Sequence, residues 1–149
     1  MPLNTGSEAL PVSGRVLGLD LGDARIGVAV SDPDRRVAVS VGTVHVGQPP
    51  GELEAVAALV REHEATLVVV GLPLSMSGER GTQAHHVQSL AEALRVFLDV
   101  PVVFQDERLS TVEAERELRA AGVKGRDRRR VIDRSAAAVI LQAWLDGNR

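Results

Sequence analysis

The sequence predicts an α/β domain in which one mixed five-stranded sheet carries helices on both faces. Its first part contains three β-branched runs separated by tight turns, which is typical of an antiparallel meander. Its later part alternates helical periodicity with short, wholly apolar runs, which is typical of parallel strands buried on both faces. With 149 residues, 44% of them hydrophobic, the chain can bury one core but cannot form two independent catalytic domains.

The antiparallel part of the sheet is expected to follow a short N-terminal tail. Residues 1–14 mix Pro, Gly, Ser and Asn without periodicity, so they are expected to be flexible, and residues 15–149 are expected to form a single domain. The connection after Asp20 is short enough for a hairpin, and Pro33 interrupts the next turn. The three strands are expected at 15–20, 25–31 and 37–46.

The later strands are each reached through a helix, so both should be right-handed parallel crossovers. The helices are expected after Gly51 and over 87–98, and the strands at 67–71 and 101–105. Residues 110–113 resemble a capping box that opens a third helix, which a basic loop separates from a final helix. The apolar stripe predicted for that final helix consists of Ile132, Ala136, Val139, Ile140 and Ala143.

Composition excludes several classes of protein. Cysteine is absent, which excludes disulfide scaffolds, zinc–thiolate sites and thiol catalysis. Only three aromatic residues occur, so a module that stacks bases on aromatic platforms is not expected. No apolar run approaches the ~20 residues of a membrane span, and the N-terminus lacks the pattern of a signal peptide. A cytoplasmic protein is therefore expected.

Charge is unevenly distributed along the chain. The net charge is −3, but residues 116–134 contain eight basic and three acidic residues, a local excess of +5. Sixteen of the seventeen cations are arginine, whose planar guanidinium forms paired hydrogen bonds with phosphate. This pattern indicates a basic surface for a polyanion on an acidic body, although a solvated basic loop would have the same composition.

Two acidic residues lie next to apolar residues that a strand or a helix is expected to bury. Asp20 ends an apolar strand, where a carboxylate is costly unless it is paired or binds a metal, although it could simply cap the strand end. Asp133 shares a helical face with Ala136, Ala137 and Ile140. A favourable interaction with the helix dipole is the alternative for Asp133, but it would not require a core-facing position.

A third acidic point, Asp106-Glu107, follows the last predicted strand. Ligands of open α/β sheets gather beyond the carboxyl ends of the strands, which is where these residues fall. The alternative is that Asp106 caps a turn and Glu107 pairs with Arg108 in solvent. Converging carboxylates repel one another, so Asp20, Glu107 and Asp133 predict a site for Mg²⁺ or Mn²⁺. Two such ions about 4 Å apart can activate water and stabilise the leaving oxygen of a phosphodiester.

Four segments together resemble the motifs of the YqgF family, also called RuvX. Residues 16–32 are similar to its opening motif, 70–73 to its second, 106–111 to its third and 132–137 to its fourth. The resemblance covers about residues 15–145, in order and at the family's spacing. It implies an RNase H-like fold, which agrees with the order of elements inferred above.

The resemblance also implies a metal-dependent nuclease with Asp20, Glu107 and Asp133 at the family's acidic positions. RNase H-like nucleases often have a fourth acid, for which Asp106 is the candidate as outer-shell support. The implied function is maturation of the 5′ end of 16S ribosomal RNA, and the alternative is resolution of Holliday junctions in branched DNA.

The expected partner is therefore a structured nucleic acid, or a ribosomal precursor particle that contains it. The residues expected to contact nucleic acid are Arg25, Arg108, Lys124, Arg126, Arg128, Arg129, Arg130 and Arg134. Two other classes compete: an actin-like ATP-binding domain, which would need a second such domain, and a non-catalytic RNA-binding factor. A monomer is favoured over a dimer, because the predicted helices leave no obvious apolar stripe for an interface.

Overall fold

The computed structural model describes residues 10–48, 51–72, 82–106 and 125–148, with the backbone alone at 82–84 and 125–135. The strands are β1 (Val16–Leu21), β2 (Arg25–Ser31), β3 (Ala38–His45), β4 (Leu67–Leu72) and β5 (Val102–Asp106). The helices are α1 (Glu52–Glu62), α2 (Thr82–Phe97) and α3 (Gly125–Gly147). The strands form one sheet in the order β3-β2-β1-β4-β5, so the predicted mixed five-stranded sheet is confirmed. The helix predicted to open at residue 110 lies outside the described residues.

The antiparallel half of the sheet consists of β1, β2 and β3. Asp20 of β1 lies opposite Gly27 of β2, and Gly27 in turn lies opposite Thr43 of β3. The β2–β3 register shifts by one residue, because Ala29 pairs with Ser40 while Val28 pairs with Gly42. Val41 is therefore an extra residue, a β-bulge in the edge strand.

The parallel half of the sheet consists of β1, β4 and β5. Leu17 pairs with Val68, and Val70 pairs with Phe104, both in parallel register. The helices α1 and α2 provide the crossovers into β4 and β5, as the alternating pattern of the sequence predicts. The carboxyl ends of β1, β4 and β5 therefore lie at the same end of the sheet.

Each face of the sheet buries its own core, because successive side chains of a strand point to opposite faces. Leu17, Leu19 and Leu21 of β1 pack with residues of α1 and α2, so we call this side the α1–α2 face. Val16 packs with residues of α3, so we call the other side the α3 face. Asp20 differs from Val16 by four positions and therefore belongs to the α3 face.

The final helix differs from its prediction in two respects. It begins at Gly125, so the segment 126–130, expected to be a basic loop, has helical backbone. Its buried stripe is also rotated, since Val139 is only partly buried. The buried residues are Ala137, Ile140, Leu141, Trp144 and Leu145. The rotation follows from packing against Gly18, whose missing side chain leaves the space occupied by Leu141.

Hydrogen bonds of the β2–β3 turn stabilise the open end of the β1–β2 hairpin, where β1 begins and β2 ends. The Val16 N–H donates to Ser31 Oγ at 2.9 Å, and that hydroxyl donates to the Asp32 carbonyl at 2.9 Å. The Asp32 carboxylate accepts hydrogen bonds from the N–H groups of Arg36 and Val37, at 2.7 and 2.8 Å. These two bonds, chiefly that from Val37, lower the pKa of Asp32 below its ordinary value.

Arg35 joins this turn to the start of β1. Its guanidinium donates to the carbonyls of Gly14 and Ser13, at 2.9 and 3.0 Å, and to Thr66 Oγ1 at 3.2 Å. The same group lies 6.0 Å from the centre of the Trp144 ring. Arg35 has a left-handed backbone conformation, with φ of 59°, which these contacts offset.

No helix within the described parts of the chain combines the length and the apolar character that crossing a bilayer requires.

Candidate active site

Asp20 lies near the carboxyl end of β1 as a partly buried acid on the α3 face. Gly18, two residues before it, allows α3 to approach, because a Cβ at Gly18 would lie 2.7 Å from the Leu141 Cβ. Gly22, two residues after it, permits the hairpin turn, because a Cβ there would lie 2.7 Å from the Arg25 carbonyl oxygen. The two glycines that flank Asp20 are thus required by packing.

The Asp20 carboxylate receives neither a hydrogen bond nor an ion pair from the side chains and backbone that the structure describes. Burial raises its pKa above the ordinary value of 3.8, since desolvation disfavours the charged form. A half-buried carboxylate without a partner is unfavourable for stability, and a bound cation would remove that penalty. The local chemistry therefore fits a hard metal ion.

Asp20 lines an open depression of about 540 Å³. The depression lies at the edge of α3 and reaches across β2 to β3. Its lining consists of Asp20, Gly22, Asp23, Ala24, Arg25, Gly27, Thr43 and Ala136. It therefore brings together an acid, an exposed guanidinium and a hydroxyl, which are suitable groups for a phosphate ester and its metal ion.

The hairpin turn beside the depression is also contacted by α2. His86 Nε2 lies 3.7 Å from Asp23 Oδ1, and both side chains are exposed. The sequence analysis did not identify His86, because a contact between α2 and the β1–β2 turn depends on the tertiary fold. Solvent screens such a contact, so it adds little to stability.

Asp133 is placed by its backbone one helical turn before Ala136 and Ala137 in α3. Ala136 lines the depression, and Ala137 packs against the sheet. The helix therefore brings the backbone of Asp133 to the end of the sheet that carries Asp20. The side chain of Asp133 lies outside the described residues, and so does Glu107.

Asp106, the candidate for outer-shell support, ends β5 on the other side of the sheet. It pairs with Leu72, which belongs to the core of the α1–α2 face, and it shares that face with Val102 and Phe104. This register gives an outer-shell role near Asp20 no support. In the described parts of the chain, no group of three or more His, Asp or Glu side chains converges.

The residues expected to contact nucleic acid fall into three groups. Arg25 begins β2 and lines the depression beside Asp20. Arg108 and Lys124 lie outside the described residues. The remaining basic residues, Arg126, Arg128, Arg129, Arg130 and Arg134, are placed by backbone alone on the first turns of α3. Because α3 also carries Asp133 and Ala136, the basic segment and the depression belong to the same end of the helix.

Gly27 and Thr43 are among the residues of the depression that the sequence analysis did not identify. Both lie on the α3 face, in the same row across the sheet as Asp20. Neither residue belongs to a motif of charged or metal-binding side chains, so only the register between β1, β2 and β3 could have placed them beside Asp20.

The architecture is the RNase H-like fold. RuvC of Thermus thermophilus, solved in complex with a Holliday junction substrate, superposes with a TM-score of 0.56 at 17% identity. The superposition covers 90% of this chain and 94% of RuvC. A second structure of Thermus thermophilus RuvC gives a TM-score of 0.54 at 15% identity, covering 89% of this chain and 95% of RuvC. At this level of identity the similarity establishes the fold.

The chain belongs to the RuvX family. The family model, described as Holliday junction resolvase, matches residues 14–147. A relative from Anaeromyxobacter dehalogenans (strain 2CP-C), named "Putative pre-16S rRNA nuclease", is 50% identical over 132 residues, which is 89% of this chain and 96% of the relative. A relative of the same name from Roseiflexus sp. (strain RS-1) is 45% identical over 136 residues, covering 91% of this chain and 96% of the relative. This membership makes the chain a nuclease, an enzyme that hydrolyses the phosphodiester bonds of nucleic acids.

Proposed function

We propose that this nuclease uses divalent metal ions to cleave the 5′ region of precursor 16S ribosomal RNA. The observation that carries the metal requirement is the half-buried carboxylate of Asp20, which has no partner among the described residues. The names of its relatives support the substrate. An enzyme with this substrate would act in the cytoplasm, on naked RNA or on a ribosomal precursor particle.

The metal site in this proposal consists of Asp20, Glu107 and Asp133. Glu107 directly follows the end of β5, and Asp133 precedes the depression by one turn of α3. Three carboxylates provide the oxygen ligands that Mg²⁺ or Mn²⁺ prefers. When bound, a pair of such ions supplies Lewis-acid stabilisation of the phosphate and a water of lowered pKa.

The protein groups around that site orient the substrate. Arg25 lines the same depression as Asp20, so its guanidinium can neutralise a phosphate next to the cleaved bond. The low polarity that raises the pKa of Asp20 also strengthens its attraction for a cation. In this proposal Asp20 binds the metal ion and Arg25 positions the phosphate.

The basic segment at the start of α3 supplies the wider attraction for nucleic acid in this proposal. Replacing Arg126, Arg128, Arg129 and Arg130 with Ala should weaken binding equally for all sequences. Each phosphate that the variant no longer neutralises should also reduce the slope of log affinity against log salt concentration by about 0.7–0.9. Binding titrations at several salt concentrations measure this slope, and an unchanged slope would assign the segment to a solvated helix surface.

The substrate is tested by one cleavage experiment with three nucleic acids. Purified protein is incubated with precursor 16S ribosomal RNA, a four-way DNA junction and a linear duplex, each with Mg²⁺, with Mn²⁺ and with EDTA. We expect metal-dependent cleavage of the RNA near the mature 5′ end, at a rate well above that of the other substrates. Cleavage of none of the three, with either ion, would contradict the proposal.

A junction resolvase is the second candidate, because the family model carries that description. Resolution needs paired cuts, and one chain offers one acidic site, so it requires a dimer with two-fold symmetry. The edge strand β3 exposes Val39 and Val41, 56% and 40% accessible, which is an apolar edge that the sequence analysis did not identify. We expect a monomer at micromolar concentration. Sedimentation equilibrium that shows a stable dimer, together with symmetric junction cuts, would favour the resolvase.

A further inference from the structure

Gly27 differs from the two glycines that flank Asp20, because packing does not require it. A Cβ added at Gly27 would lie 3.6 Å from the Ala137 Cβ and 3.6 Å from the Asp20 Cβ, both ordinary van der Waals contacts. Its backbone is also outside the left-handed region, unlike Gly14 or Gly42. Alanine would therefore fit at this position.

A glycine inside a strand nevertheless has a cost. It loses more conformational freedom on folding than alanine does, which destabilises the strand by roughly 0.5–1 kcal/mol. Neither sterics nor backbone conformation requires glycine at position 27. Glycine there leaves free the space that a methyl group would fill between Asp20 and Ala137, in the lining of the depression. Gly27 forms the floor of the depression directly beside Asp20.

Thr43 lies at the far end of this floor. It is opposite Gly27 in the β2–β3 register and therefore on the same α3 face as Asp20. Neighbouring strands lie about 4.8 Å apart, so about 10 Å separate the backbones at Asp20 and Thr43. Thr43 is exposed and lines the depression, and its hydroxyl can donate a hydrogen bond to a phosphate oxygen.

We propose that the substrate strand crosses the sheet from Asp20 over Gly27 and that Thr43 binds one of its phosphates. A distance of about 10 Å is too long for one phosphate group to contact both residues, so Thr43 would bind a different phosphate from the one next to Asp20. Thr43 is thus a positioning residue for the strand at a phosphate beyond the cleaved bond. This inference rests on the proposed nuclease function and extends it to the path of the substrate.

The test compares two substitutions in this path with matched controls elsewhere. Gly27→Ala adds a methyl group to the floor, and Thr43→Val removes the hydroxyl at constant shape. Gly147→Ala is the control for adding a methyl group, since nothing lies within 4 Å of that position. Val39→Thr is the control on β3, because it alters the opposite face of the same strand. Thr43→Ser restores the hydroxyl.

Binding is measured by fluorescence anisotropy with labelled RNA and DNA strands of one sequence, in the Asp20→Asn background so that the strands stay intact. Thr43→Val should weaken binding about 2- to 10-fold, as expected for one hydrogen bond, and Thr43→Ser should restore it. In the protein with Asp20, Gly27→Ala should reduce the cleavage rate about 100-fold by displacing the strand. Both controls should match the parent protein, and thermal unfolding should show every variant folded.

The outcomes separate this inference from the proposed function. Normal cleavage and binding by Gly27→Ala and Thr43→Val, with Asp20→Asn inactive, would overturn the path and leave the nuclease site intact. Loss of cleavage in Asp20→Asn together with weaker binding by Thr43→Val would support both. An inactive parent protein whose affinity still fell on Thr43→Val would contradict the nuclease and retain the path. If Thr43→Val weakens the binding of RNA alone or of DNA alone, that nucleic acid is the one that follows the path.

Discussion

The two ends of the β1–β2 hairpin each carry an aspartate, and the two carboxylates are treated in opposite ways. Asp32 follows β2 and accepts two backbone hydrogen bonds, so its pKa is lowered. Asp20 lies at the other end, without a partner in the described parts, and burial raises its pKa. The acid that the fold satisfies is structural, whereas the acid that the fold leaves unsatisfied belongs to the candidate site.

The surroundings of the two acids differ in the same sense. At the Asp32 end, the guanidinium of Arg35 donates three hydrogen bonds within the protein. At the Asp20 end, Arg25 is exposed and lines an open depression. Arginine is therefore a structural clamp at one end of the hairpin and a candidate substrate ligand at the other.

The largest expected effect separates the two acids by activity. Asp20→Asn should reduce cleavage at least about 100-fold while the protein stays folded, because the position supplies ligand charge. Asp32→Asn should retain most of the activity, because the Asp32 carboxylate accepts hydrogen bonds within the β2–β3 turn, at the far end of the hairpin from Asp20. Initial rates with precursor ribosomal RNA measure both. Equal rates for Asp20→Asn and the parent protein would remove Asp20 from the site.

Metal binding should distinguish the same two variants without any substrate. Mn²⁺ or Mg²⁺ at about 100 times its dissociation constant should stabilise the parent protein by about 2.7 kcal/mol. Asp32→Asn should show the same gain, and Asp20→Asn should show little. Thermal unfolding with increasing metal concentration measures the shift. A full shift in Asp20→Asn would mean that the ion binds elsewhere.

The structural end of the hairpin should respond in stability and not in chemistry. Arg35→Ala removes three hydrogen bonds made by a charged group and should lower the free energy of unfolding by about 2 kcal/mol. Arg61→Ala, on the exposed surface of α1, is the matched control and should change it by less than about 0.5 kcal/mol. Urea unfolding of both variants gives the difference. A loss of catalysis by folded Arg35→Ala would show that the two ends are coupled.

The smallest effect is a pH dependence of opposite sign at the two acids. A raised pKa means that ionised Asp20 destabilises the metal-free fold as the pH rises above about 3.8, so Asp20→Asn should be the more stable protein there. A lowered pKa means that ionised Asp32 stabilises the fold above its unfolded value, and that this stability is lost as the pH falls through its folded value.

Urea unfolding with EDTA, from about pH 3 to about pH 7, tests both signs. The difference between parent and Asp20→Asn should vanish at the acid end, where both side chains are neutral. The deficit of Asp32→Asn should also shrink there. The same sign of pH dependence for both variants would contradict the contrast between the two ends.

The sequence predicted the sheet, its parallel and antiparallel halves, and the place of Asp20, because these depend on local periodicity and on short turns. It did not predict the rotation of α3, because the buried stripe of an alanine-rich helix is decided by its contact with Gly18. It also did not predict the face of Asp106 or the roles of Gly27 and Thr43. Those depend on register between strands that are distant in sequence, to which composition and spacing are insensitive.

The bulge at Val41 has a consequence for insertions and deletions in this edge strand. Ser40 and Gly42 keep their partners Ala29 and Val28 on either side of the extra residue. A chain that lacked Val41 would therefore have a regular ladder, with Thr43 still on the α3 face. Strand β3 can therefore gain or lose this one residue while the side chains on both sides of it keep their faces of the sheet. The length of the edge strand can thus change during evolution without altering the floor beside Asp20.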